Sequence, residues 1–132
     1  FVSGYSDVPV EELLRTSDVV SLHVPLTDDT RGLIDDHALD LMKDSAVLVN
    51  TSRGGVVDEH ALVEALRAGS IRGASLDVFA SEPVSSSYGE RFAGVPNLIL
   101  TPHIAGITAE SNERVSFMIA NEVADVLAGG AP

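Results

Sequence analysis

Residues 46–79 read AVLVNTSRGGVVDEHALVEALRAGSIRGASLDVF, and the order of patterns within them decides the fold. Ala46–Thr51 is a short, β-branched, apolar run of the kind found in parallel strands buried on both faces. Asp58–Ala68 then shows helical spacing. Asp58 can cap it, Leu62 and Leu66 share a face, and Gly69 stands where a helix ends on glycine. Ala74–Phe79 is a second buried-strand run. Strand, helix and strand joined by short links predict a crossover between two parallel strands.

The same alternation continues on both sides of this unit. Val19–Val24 and Leu98–Thr101 read as strands, and Phe1–Ser3 as a weaker one. Val10–Arg15 is a short helical pattern with Leu13 and Leu14 apolar. Asp36–Lys43 is another, starting on an aspartate cap and placing Leu39 and Met42 at i, i+3. A long helix is expected at about 108–128, with a stripe of Val115, Met118, Ile119, Val123, Val126 and Leu127 that serves the core or a link to another domain. Ser81–Pro96 is polar and reads as a surface loop with one irregular helical turn. The expected architecture is α/β, a doubly wound parallel sheet. No G-x-G-x-x-G occurs, and the chain opens without methionine. The sheet is therefore expected to lack its first strand, glycine loop and phosphate-binding helix.

A net charge of −12 argues against nucleic acid as a partner, because a polyanion is repelled. No apolar run approaches the roughly 20 residues of a membrane span, and no secretory pattern opens the chain, so a cytoplasmic location is the default. Without cysteine there is neither disulfide nor thiolate metal site. His23, His37 and His60 show no metal-ligand spacing, so no metal is expected.

Three strand ends each deliver an ionisable residue. Arg53 follows the first strand of the quoted stretch, with Gly54 and Gly55 letting the backbone turn. Asp77 lies within the second, and Glu82 just beyond it precedes Pro83. His103 follows Leu98–Thr101, with Pro102 in front and Gly106 behind. In open parallel sheets ligands bind outside the carboxyl ends of the strands. A histidine beside a carboxylate is poised for acid–base work, and an arginine offers a planar fork to a carboxylate or carbonyl oxygen. Taken singly, Arg53 reads as a surface ion-pair residue, Glu82 as a loop cap and His103 as a structural histidine. Asp77 in an apolar strand needs a partner.

The segments SDVVSLHVPLTDDTRGLI, VLVNTSRGGVVDEHALVEAL, GASLDVFASEP and NLILTPHIAGIT together closely resemble the D-2-isomer-specific 2-hydroxyacid dehydrogenases. The resemblance runs from about Leu13 to the end, in the family's order. It implies a Rossmann-like fold and NAD or NADP as cofactor, NAD favoured. It also implies a small 2-hydroxy or 2-oxo acid as substrate and a homodimer joined through the nucleotide-binding domain. Residues 1–132 would be the C-terminal part of that domain, with the substrate domain absent. Arg53 matches the arginine that binds the substrate's carboxylate and 2-oxo oxygen, Glu82 the carboxylate that hydrogen-bonds the catalytic histidine, and His103 the acid/base. Asp77 matches a residue near the nicotinamide. Val24, Pro25, Thr30, Thr51, Ser52, Ala105 and Gly106, with Arg53 and His103, match positions that line the cofactor. Glutamate rather than glutamine at position 82 favours the 2-hydroxyacid branch over formate dehydrogenases. Transcriptional corepressors also resemble this family, so a dinucleotide-dependent binding module without turnover is the alternative, beside an inactive fragment.

Overall fold

The computed structural model describes residues 7–129, and the weak strand expected at Phe1–Ser3 lies outside them. Four parallel strands form one sheet in the order β1-β2-β3-β4: β1 Val19–Leu22, β2 Val47–Asn50, β3 Gly73–Leu76 and β4 Leu98–Leu100. Each strand pairs with the next one in the chain, with Val20 opposite Leu48, Leu48 opposite Ala74 and Ala74 opposite Leu98. This is the expected α/β, Rossmann-like arrangement.

Period-2 alternation sends Val20, Leu22, Leu48, Ala74 and Leu76 to one face, where they are buried. Helices α1 (Val10–Thr16), α2 (Asp36–Leu41) and α3 (Glu59–Ala68) bring Leu14, Ala38, Leu39, Leu62, Val63 and Leu66 into the same core. The caps are those that the sequence offers. Asp35 accepts the Ala38 amide at 2.8 Å, and Asp58 accepts those of His60 and Ala61 at 2.9 and 3.1 Å. Each is worth about 1 kcal/mol. Gly69 ends α3 at φ 73°, a conformation that costs other residues a Cβ clash.

The strands are shorter than their apolar runs. β2 stops at Asn50, whose buried side chain turns back to accept from the Ser52 amide and hydroxyl and donates to the Arg53 carbonyl. β1 stops at Leu22, before His23 and Val24. The polar 81–96 segment has the helical turn expected of it and goes further in adding to the core. It folds into α4 (Ser86–Gly89) and a 3-10 turn (Glu90–Phe92), and Phe92 joins the core. The long helix α5 spans Ala109–Leu127, capped by the Thr108 hydroxyl. None of its residues is buried, and Phe117 is 64% exposed. Its apolar stripe therefore takes no part in the core of the described residues. The sheet face opposite α1–α3 is likewise uncovered there, with Val19 and Ile99 exposed.

Candidate active site

Arg53, Glu82 and His103 come together at the carboxyl ends of β2, β3 and β4. His103 Nδ1 lies 2.7 Å from Glu82 Oε2, and Glu82 Oε1 accepts the Phe79 amide at 2.8 Å. Both carboxylate oxygens are thus committed, one to the imidazole and one to the loop's own backbone. Those two bonds, the His103 one first, hold the Glu82 carboxyl below the usual glutamate value. His103 sits at φ 55°, a left-handed backbone in which few non-glycine residues are found. Gly106, which follows in the same loop, does not adopt a positive φ. The sharp geometry is carried by the histidine itself.

Asp77 is the anchor under this arrangement rather than an open ligand. It is buried, and its Oδ1 accepts from the Thr101 hydroxyl at 2.5 Å and the Ile104 amide at 2.9 Å, while Oδ2 accepts the Ala105 amide at 2.8 Å. One carboxylate therefore fixes the loop on both sides of His103. Burial raises its pKa, but the bonds from Thr101, Ala105 and Ile104 and the nearby His103 outweigh that, leaving it lowered. Between its folded value and the ordinary 3.8, the unfolded chain binds more protons, so this contribution to stability is present above 3.8 and lost as pH falls below it. Asp77→Asn should lower the thermal midpoint at neutral pH and flatten its decline on acidification. A midpoint that falls with acid as steeply in the variant as in the wild type would remove Asp77 from this account.

Gly54 explains how Arg53 reaches the group. A Cβ there would lie 1.9 Å from the Phe79 carbonyl carbon, so only glycine lets the two loops touch. The need is close approach, since neither Gly54 nor Gly55 has a positive φ. Arg53 is exposed and extended, and donates to the Ser52 carbonyl at 2.6 Å. Arg53 and His103 are shared walls of two clefts. One, of about 620 Å³, is completed by Thr51, Asp77, Gly106 and Ile107. The other, of about 310 Å³, includes Leu26, Arg31, Phe79 and Glu82.

The other expected cofactor positions are spread around this edge. Val24 is half-buried and Pro25 exposed in the loop after β1. The Thr30 hydroxyl closes that loop, donating to the Pro25 carbonyl at 2.6 Å and accepting the Thr27 amide at 2.8 Å. Thr51 faces the larger cleft, whereas the Ser52 hydroxyl is turned inward onto Asn50. Ala105 is exposed with its amide on Asp77. Asn50, Thr101 and Arg31 belong to the site's construction and were not among the expected residues. A buried asparagine closing an apolar strand is the signal that marks Asn50. Among the described residues no group of His, Asp or Glu is arranged to hold a metal, and no helix is long and apolar enough to cross a membrane.

Residues 2–105 match the D-isomer specific 2-hydroxyacid dehydrogenase, NAD binding domain family. The chain belongs to that family. The (S)-sulfolactate dehydrogenase of Chromohalobacter salexigens is 52% identical to this chain over 111 residues, 84% of this chain and 35% of that protein. The glyoxylate reductase of Aeropyrum pernix is 46% identical over 93% of this chain and 36% of its own length. The chain thus spans little more than a third of either relative. Among solved structures, the NAD-complexed D-isomer specific 2-hydroxyacid dehydrogenase of Lactobacillus delbrueckii ssp. bulgaricus superposes with a TM-score of 0.82 at 33% identity, covering 97% of this chain and 42% of that one.

Proposed function

We propose that this chain is the C-terminal part of the dinucleotide-binding domain of a D-2-hydroxyacid dehydrogenase and carries its acid–base machinery. The observation that carries this reading is the 2.7 Å pairing of His103 Nδ1 with Glu82 beside Arg53, on the wall between two clefts. With Nδ1 held by Glu82, the ring's Nε2 is left to take the proton of a 2-hydroxyl in oxidation and return it to a 2-oxo oxygen in reduction. Glu82 keeps the ring oriented and offsets the imidazolium charge while the proton resides there. Arg53 binds the substrate carboxylate and 2-oxo oxygen with a fork suited to a planar group.

The larger cleft fits the nicotinamide end of a dinucleotide. Thr51 offers a hydroxyl, Ile107 an apolar wall, and at Gly106 no atom lies within 4 Å of where a side chain would begin. When bound, the dinucleotide supplies or accepts the hydride. Ser52, Asp77 and Ala105 shape the loops beside this cleft, and Val24, Pro25 and Thr30 belong to the loop whose Leu26 and Arg31 line the smaller one. NAD is favoured over NADP. A small 2-hydroxy or 2-oxo acid as substrate and a homodimer joined through this domain belong to the same reading.

The test is an assay of the full-length polypeptide against small 2-oxo acids with NADH and NADPH. Turnover is expected with at least one acid, and loss of most of it in Arg53→Ala and Glu82→Gln. A folded protein that binds the dinucleotide yet reduces none of the panel would overturn the enzymatic reading in favour of a binding module.

A further inference from the structure

Glu59 is the first residue of α3, next to the Asp58 cap, where an acidic side chain ordinarily faces water and favours the helix dipole. Here it is only 5% exposed. Its Oε1 accepts the Ala80 amide at 2.7 Å, and its Oε2 accepts the Tyr88 hydroxyl and lies 3.4 Å from the Arg91 guanidinium. The Tyr88 oxygen accepts the Ser81 amide at 3.2 Å. Arg91 stacks over the Tyr88 ring at 3.9 Å and donates from Nε to the Tyr88 carbonyl at 3.1 Å. Phe92 lies below, with its ring 5.8 Å from that of Phe79 and 6.3 Å from that of Tyr88.

A buried carboxylate is costly, and an apolar residue would serve a helix's first turn with less desolvation. What the buried group gains is control of a particular stretch of backbone. Phe79, Ala80 and Ser81 lead directly into Glu82, and their three consecutive amides are all engaged. Phe79 donates to Glu82 itself, and Ala80 and Ser81 donate to Glu59 and Tyr88 behind the loop. Gly54 also abuts the peptide between Phe79 and Ala80. The loop is thus held at three amides and packed against Gly54 just before it delivers the carboxylate to His103.

We propose that Glu59, Tyr88 and Arg91 form a positioning unit that fixes the Phe79–Glu82 loop and so sets the Glu82–His103 contact. They are positioning residues and touch neither proposed cleft where substrate and cofactor would meet. The inference rests on the acid–base reading of Glu82 and His103, and its test separates the two. In the full-length polypeptide, the His103 Nδ1 proton held on Glu82 gives a downfield proton resonance, which Glu82→Gln should abolish. A wild-type protein without that resonance overturns the pair, and the positioning unit with it. Given the resonance, Tyr88→Phe should move it upfield and hasten its exchange with water. The same variant should lower kcat roughly tenfold, below the hundredfold that a misplacement of about 1 Å can cost, with KM for the dinucleotide nearly unchanged. Glu59→Gln keeps an acceptor for the Ala80 amide and should retain more of the signal and of kcat than Glu59→Ala. If Glu59→Ala does not fold, Tyr88→Phe, which deletes one hydroxyl from a half-buried ring, decides the matter. An unchanged resonance and unchanged kcat in folded Tyr88→Phe would overturn the proposal.

Discussion

Replacing His103 with alanine in the full-length polypeptide is expected to lower kcat by roughly a hundredfold to ten-thousandfold, the usual worth of a positioned general acid–base. Among the described residues no neighbour is placed to take over. Glu82 is the group bonded to the ring and its carboxyl is held below the usual range, so it is ionised and has no proton to give at neutral pH. Asp77 is buried with both oxygens engaged. The left-handed backbone at residue 103 calls for a second variant, because alanine tolerates that conformation poorly. Asparagine accepts it more readily, so His103→Asn should keep the fold and lose the same activity. Near-normal kcat in either folded variant would end the proposed mechanism.

Gly54→Ala should have the largest effect on stability. Its new methyl would meet the Phe79 carbonyl carbon at 1.9 Å, the carbonyl oxygen at 2.1 Å and the Ala80 nitrogen at 2.3 Å. These are backbone atoms and cannot rotate aside. One of the two loops must move, at a cost of about 3 kcal/mol or more. At Gly55 the nearest atoms are the ends of the Leu26 side chain, at 3.1 and 3.3 Å, which can yield. Urea unfolding of both variants should therefore separate them by at least about 2 kcal/mol. Under the proposed function, Gly54→Ala should also lower turnover in the full-length polypeptide, since the displaced loop carries Glu82. A Gly54→Ala protein as stable as Gly55→Ala would mean that this contact is looser than described.

The sheet and the three ionisable residues at its edge were legible because each depends on neighbours in sequence. The β2–α3–β3 unit follows from buried-strand runs, the Asp58 cap and Gly69. The cap and glycine form as expected, while both strands stop short of their runs. Asp77, expected within β3, lies just past its end at Leu76. Arg53, Glu82 and His103 stand just past strands, where topology alone gathers them. What stayed hidden depends on contacts between distant segments. Glu59 looks like any acid in a helix's first turn, and only the fold brings Ala80, Tyr88 and Arg91 to it. The 81–96 segment reads as a polar loop, although Tyr88 and Phe92 at i, i+4 were a faint sign of a buried turn. The stripe on α5 illustrates the converse limit. Amphipathic spacing states that one face is apolar and leaves open what lies against it.

The strand order has a consequence for how the molecule is made. Because each strand joins the one that came before it in the chain, the sheet can grow by single additions as the polypeptide leaves the ribosome. In that order Arg53 and Glu82 would be in place while Asp77 still lacked the donors that follow β4. Docking of β4 would bring Thr101, Ile104 and Ala105 to that carboxylate and His103 to Glu82 together. The segment that follows β4 supplies both the donors for the buried Asp77 carboxylate and the imidazole that meets Glu82, so a sheet lacking β4 would hold neither contact.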